Sequence, residues 1–301
     1  MRTRKKFTPK LLRSWIDQGR GQGSFGTYVP WHRISRGDPA SRGRSHLEYW
    51  SKTGRFHHLL SDGEQIAFFF AVMLSGTEDV REQFPLLFKS GQHELSHYAA
   101  SYLGHEVPGT EELASILSIR HPQLRNKDDK ESWVPTTDLL VASKYKDGRW
   151  FLLAVAVKSN NDLSKRERQL LQLEKEYWER RGAKWMLITP SLYSSKVGEC
   201  LQRTAPWVVA AESVSNEEIE KCAELVQLNS GRDLTHMLRL LCIQLSVDMD
   251  RAQKVFWQSV WYGKLPVDLR RGWRPSDPVV LLNQNQFNEL NPIAAGRTVC
   301  I

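Results

Sequence analysis

An α/β fold is predicted for this 301-residue chain, and three observations predict it. Two continuous apolar runs, residues 139–141 and 150–157, flank a charged turn at 144–148. Runs of that kind suit adjacent strands buried on both faces and joined as a hairpin. A long amphipathic pattern at 163–181 then leads to a further apolar run at 184–189, which reads as a crossover helix and its returning strand. From residue 191 the periodicity is helical. The length suffices for about two domains with their own cores. They are expected at 1–190, a basic arm plus the α/β domain, and at 191–301, a smaller and mostly helical domain.

Residues 1–56 are basic, rich in glycine and dotted with aromatics. Gly21, Gly23 and Gly26 spell GxGxxG, but no strand precedes them and Pro30 stands where the helix of a dinucleotide site would continue. A flexible arm whose arginines meet phosphate is expected instead. Ser61 or Asp62 caps the next helix, whose buried stripe is Leu59, Ile66, Phe69, Phe70 and Met73. Glu64 falls in or near its first turn, where a carboxylate suits the helix dipole. Residues 80–87, broken by Pro85, read as an edge strand. His93, Glu94 and His97 form HExxH, which on a helix sets both histidines on one face for zinc, with Glu94 as base. A solvent-facing polar helix stripe is the expectation there, and a zinc hydrolase the competing reading.

Residues 111–118 form another helix, stopped by His121 and Pro122. A charged surface loop at 123–132 precedes the hairpin. The helix at 163–181 buries Leu170, Leu171, Leu173, Tyr177 and Trp178, and Gly182 ends it. Helices follow at 194–203, 217–228, 235–245 and 252–262. Short strands are expected at 265–269 and 279–282, with Arg270, Arg271 and Arg274 between them. That arrangement is winged-helix-like, and its basic hairpin suits contact with DNA or a partner protein. Residues 283–301, rich in Asn and Gln, are expected to be loosely ordered.

The formal charge is +8 and the pI about 9.3, with the excess concentrated early at Arg2, Arg4, Lys5, Lys6, Lys10 and Arg13, then Arg33, Arg36, Arg42, Arg44, Lys52 and Arg55. Such a balance favours a polyanionic partner, nucleic acid above all. The four cysteines, Cys200, Cys222, Cys242 and Cys300, show no metal spacing and read as reduced thiols of a cytosolic protein. No apolar run reaches membrane-spanning length, and the basic N-terminus lacks the apolar region of a signal peptide.

Asp138 opens the first strand of the hairpin and Lys158 ends the second, so an acid and a lysine are expected to converge. Phosphodiester hydrolysis needs a cation that neutralises phosphate oxygens and lowers the pKa of an attacking water. Hard Mg²⁺ prefers carboxylate oxygens and keeps several waters, so one or two acids suffice. A lysine beside the site orients the water or stabilises charge on the phosphate. Glu64 is the candidate for a further acid.

Acid, apolar strand, lysine resembles the core of PD-(D/E)xK, restriction-endonuclease-like enzymes. A longer ordered set resembles the TnsA family, the endonuclease subunit of heteromeric transposases. Its pieces are Gly19 to Gly23, Tyr28 with Pro30 and Trp31, Arg55 to Glu64, and Arg81 to Leu86. They continue through Ile119 with His121 and Pro122, Thr137 to Val141, Val157 with Lys158, Glu174 with Tyr177 and Trp178, and Trp185 to Thr189. Beyond residue 191 the likeness is one of size and helical character.

The resemblance implies a restriction-endonuclease-like catalytic domain and a helical C-terminal domain. It implies Mg²⁺-dependent cleavage, with Mn²⁺ as a substitute, of the non-transferred strands at the 5′ ends of a transposon. The implied partners are double-stranded transposon-end DNA, an integrase-fold transposase, TnsB, and an ATPase regulator, TnsC. The implied location is the bacterial cytoplasm, at the nucleoid. Glu64 falls on the first acid, Asp138 on the central metal-binding acid, Lys158 on the catalytic lysine and Glu174 on an acid of the following helix; the Val157 carbonyl is expected to face the metal. One position departs. Two residues before Lys158, relatives place glutamine or a carboxylate, and here Ala156 has no donor atom. Three alternatives stand open: Glu64, Asp138, a carbonyl and water hold the metal alone; Glu174 moves in; or the protein is a catalytically weak or inactive assembly subunit.

Overall fold

The site depends on how four of the strands are ordered. The structure is a computed structural model that describes residues 7–35, 38, 43–126 and 129–301. Six of the early basic residues, Arg2, Arg4, Lys5, Lys6, Arg36 and Arg42, lie outside the described residues.

The first helix, α1 (Pro9–Asp17), is capped by Thr8, whose side chain accepts from the Leu11 N–H, with Pro9 where a missing donor costs nothing. The hairpin β1 (His46–Trp50) and β2 (Arg55–Leu59) leads into α2 (Asp62–Val72), capped by Ser61. Strand β3 (Thr77–Pro85) follows, then a small hairpin of β4 (Gly91–Gln92) with β5 (Glu106–Val107). Helix α3 (Thr110–Ile116) precedes the pair β6 (Gln123–Asn126) and β7 (Asp129–Ser132). The predicted hairpin is β8 (Thr136–Lys144) and β9 (Trp150–Val157), followed by α4 (Lys165–Glu179) and β10 (Lys184–Ile188). Then come α5 (Ser195–Thr204), α6 (Asn216–Leu228), α7 (Leu234–Leu245), α8 (Met249–Trp261) and α9 (Gln284–Asn288).

The central sheet has the order β10-β9-β8-β3, parallel between β9 and β10 and antiparallel elsewhere. Alternate residues sort to its two faces. Leu139, Val141, Leu153, Val155, Met186 and Ile188 pack with α2. Leu140, Ala142, Leu152, Ala154, Ala156 and Leu187 pack with Leu171, Tyr177 and Trp178 of α4. Burial on both faces is why the strands read as unbroken apolar runs. No helix among the described residues is long and apolar enough to cross a membrane.

Several expectations need correction. The segment before β1 is not a loose arm over residues 7–35. Its Trp15 is fully buried, and Arg20, expected to meet phosphate, instead pairs with Asp38 at 2.6 Å with both side chains buried. Gly21 has φ +80°, and a Cβ there would lie 2.2 Å from Pro85 Cγ, so this strap lies flat on the end of β3. It covers an edge strand that would otherwise template pairing.

One apolar cluster takes in residues on both sides of 190/191. α2, the sheet and α5 to α8 share one apolar cluster, with Phe69 against Trp261 at 5.5 Å. The tail is not loose: Val299 N–H donates to Leu187 O at 3.0 Å, and Asn291 donates to Phe70 O at 2.9 Å. The expected strands at 265–269 and 279–282 reduce, among the described residues, to one isolated bridge, Val267 with Leu281. A second antiparallel bridge joins Asp233, just before α7, to Pro278.

Candidate active site

Asp138 stands third in β8, at the sheet end where β9 and β10 finish. Its Oδ2 accepts the Val157 N–H at 2.7 Å, which fixes the carboxylate against the last residue of β9. In an extended strand the N–H and C=O of one residue leave on the same side, so the Val157 carbonyl also faces Asp138. Lys158 follows directly and is anchored by its N–H to Ile188 O at 3.0 Å. The charge of Asp138 is the largest influence on the Lys158 ammonium and raises its pKa against the effect of burial; Glu174 and Glu64 add to it.

Glu64 arrives from the opposite face of the sheet. It sits in the first turn of α2, whose Ser61 cap and reciprocal bond hold it: Glu64 N–H donates to Ser61 Oγ at 3.2 Å and Ser61 Oγ donates back to the carboxylate at 3.1 Å. Leu60 N–H donates at 2.9 Å. Burial first, and the nearby charge of Asp138 second, push the Glu64 carboxyl up to about 8. Gly63 makes the approach possible, because a Cβ there would already stand 3.0 Å from Val157 Cγ1.

Glu174 comes from α4 on the other face. Thr137 Oγ1 donates to its carboxylate at 2.9 Å while accepting from Trp178 Nε1 at 2.6 Å. Burial, then Asp138, push Glu174 up to about 7. Four residues singled out in the sequence thus share one neighbourhood. Ala156 is 1 % exposed and packs in the α4-side cluster.

One residue at this place lies in the Arg81 to Leu86 stretch but gets no role from the sequence. Gln83 is 4 % exposed and adopts φ +50°, a conformation that costs a non-glycine residue about 1–3 kcal/mol. The ladder pairs Glu82 with Leu139 and Phe84 with Thr137, so Gln83 stands across from Asp138. Its Nε2 donates to Glu64 at 2.9 Å and lies 3.5 Å from Asp138 Oδ1. The kink breaks the strand alternation: Arg81 and Phe84, three apart, lie on one face with the guanidinium 4.4 Å above the ring. Next door, Glu82 takes both ends of the Arg55 guanidinium at 2.9 and 2.8 Å and faces His57 Nδ1 at 3.1 Å. That fully buried cluster holds the kink in place. Only the register of β3 on β8 finds Gln83.

The donors that Glu64, Asp138 and Val157 offer are all oxygens, the set a hard divalent cation takes, and such a cation keeps several waters. Among the described residues no group of three or more His, Cys, Asp or Glu side chains is gathered to hold a metal.

HExxH is not a metal site. His93 to His97 is no helix but the cap and body of a 3-10 turn. His93 Nδ1 accepts from Leu95 N–H at 3.0 Å and its Nε2 donates to Arg181 O at 2.9 Å, so both ring nitrogens are taken. Glu94 is buried against the Arg181 guanidinium at 2.8 Å and accepts from the Tyr177 hydroxyl. The expected solvent-facing stripe is an interior ion pair.

Comparison with known proteins adds two findings. A family model described as TnsA-like endonuclease N terminal matches residues 108–190. The transposon Tn7 transposition protein TnsA of Escherichia coli is 31% identical over 238 residues, covering 78% of this chain and 76% of that protein.

Proposed function

The chain belongs to the TnsA family, and on that premise we propose that it is the DNA endonuclease subunit of a transposase, cutting the non-transferred strands at the transposon 5′ ends. The observation that supports this best is the meeting of Glu64, Asp138, Lys158 and Glu174 at one end of the sheet, from four elements and both faces.

Asp138 and Glu64 are the carboxylates that hold Mg²⁺, or Mn²⁺ in its place, with the Val157 carbonyl beside them. Bound there, the cation supplies charge neutralisation on the phosphate and a more acidic water. Lys158 is kept protonated by Asp138 foremost. It therefore serves as a fixed positive charge for the phosphate rather than as a base. Glu174 and Thr137 brace the start of β8 so that Asp138 keeps its aim. The partners in this reading are transposon-end DNA, TnsB and TnsC. Residues 191–301 are the platform for DNA or partner contact, and the work takes place in the bacterial cytoplasm at the nucleoid.

The test is nicking of transposon-end DNA by the protein with its partners and Mg²⁺. Asp138→Ala and Lys158→Ala are each expected to lower 5′-strand nicking by about 10² or more. Persistence of the nicks in both would overturn these roles. A second reading, a non-catalytic assembly subunit, draws on the missing donor at Ala156. It predicts a normal complex and no nick with any divalent cation.

A further inference from the structure

Asp138 has two cross-strand neighbours in its row of the sheet. On the β9 side the register that pairs Leu139 with Val155 places Ala156 across from it. On the β3 side the register places Gln83 across from it. One flank of the central acid is thus bare of donor atoms, and the other carries a buried amide. That amide is held where a strand residue does not ordinarily reach, by a left-handed φ of +50° at a non-glycine position. Its outer atom lies 2.9 Å from Glu64 and 3.5 Å from Asp138.

We propose that Gln83 is a ligand of the divalent cation, turning its amide end for end so that Oε1 replaces Nε2 between Glu64 and Asp138. This rests on the nuclease reading above. The NH₂ end of Gln83 stands between the Glu64 and Asp138 side chains and is turned toward both. A carboxamide carries a donor at one end and an acceptor at the other in nearly the same shape, so a half-turn exchanges them without moving the chain. Ligand atoms that share an octahedral Mg²⁺ with bonds of 2.0–2.1 Å stand about 3 Å apart. The outer amide atom already stands at that order of distance from both carboxylates. Oxygen placed there without a cation would face the Asp138 carboxylate and be repelled; with a cation it becomes a further neutral oxygen donor. The bonds of Glu82 to Arg55, His57 and the His58 N–H fix the backbone on one side of Gln83, so the amide has only its own torsions to turn.

The experiment is a titration of the full chain with Mn²⁺, without DNA, reading free Mn²⁺ by electron paramagnetic resonance and the melting temperature in the same buffer. Two substitutions decide it. Gln83→Gly removes the amide at a position whose φ glycine adopts freely. Gln83→Glu keeps the shape and places oxygen at both ends. The expected result is an Mn²⁺ affinity at least about tenfold weaker for Gln83→Gly, and equal or tighter for Gln83→Glu. Unchanged affinity in Gln83→Gly overturns the proposal, as does equal weakening in both variants, which would mark Gln83 as a donor only. Should Gln83→Gly fail to melt cooperatively, the near-isosteric Gln83→Glu decides alone: weaker binding refutes, equal or tighter binding supports. Failure of the nuclease reading looks different, for then the unsubstituted protein binds no Mn²⁺ that Glu64→Gln or Asp138→Asn removes.

Discussion

Glu64 and Glu174 set the response of the metal-free protein to pH. Their carboxyls titrate near 8 and 7, burial being the first cause and Asp138 the second. Each folded value lies above the unfolded one of about 4.3. The stability they contribute is therefore whole below about pH 4.3 and is lost as pH rises through about 7 to 8. Glu64→Gln should flatten that decline. With chelator present, the variant is expected to melt above the unsubstituted protein at about pH 8.5, by about 2–4 °C for each kcal/mol recovered, in a calorimetric series across pH. Cation binding runs the opposite way, because a proton must leave Glu64 first. Mn²⁺ affinity is expected to climb as pH rises through the same window in the unsubstituted protein and to climb less in Glu64→Gln. Glu82 answers at the acid end: burial would raise it, but His57 and Arg55 hold its carboxyl below the usual range.

At the scale of elements, β3 is an edge strand made to behave like a central one. The 3-10 turn at Phe25–Thr27 and the Gly19 to Gly23 strap lie against it, with Phe25 N–H donating to Asp79 at 2.8 Å and Tyr28 hydroxyl to Glu82 O at 2.9 Å. Gly21→Ala puts a methyl group into Pro85 at a positive φ. Limited proteolysis is expected to cut residues 7–35 faster in that variant, with a loss of about 1–3 kcal/mol in denaturant melts. The turn holding Glu94 does the corresponding work on the other side, joining α4 to the β4–β5 hairpin through Arg181, which donates to Glu94, Tyr177 O and Pro108 O. Glu94→Ala leaves that guanidinium buried and unpaired, and about 3–5 kcal/mol of stability should go in equilibrium unfolding. Zinc content measured by elemental analysis is expected to be negligible before and after.

The whole molecule shares one core between its two halves. Phe70 packs on Tyr193 at 5.3 Å and Phe69 on Trp261, so α2 is covered by chain from beyond residue 191. A fragment ending at residue 190 exposes that face. It is expected to lack a cooperative thermal transition and to aggregate, seen by calorimetry and size-exclusion chromatography. The +8 charge acts at the same scale. Transposon-end DNA should bind with a linear fall of log affinity against log salt, as cations leave the phosphates. A flat response would contradict a phosphate-binding surface.

Local pattern alone determined the β8–β9 hairpin, the α4 crossover, the edge position of β3 and the capped turn that carries Glu64, because period, caps and proline act within a few residues. It also picked out Asp138, Lys158 and Glu64, since a charge beside an apolar run stands out in any reading; Glu174 is implied by the family resemblance alone. Tertiary structure decided the rest. A glutamine in an edge strand looks like any other until the register sets it across from Asp138. A HExxH motif looks like a metal site until Arg181, nearly ninety positions later in sequence, arrives to bury Glu94. The basic, glycine-rich stretch looks like a tether until Trp15 and Arg20 find partners. Those outcomes turn on which distant side chain fills each polar group's bonds, and no short window of sequence contains both members of such a pair.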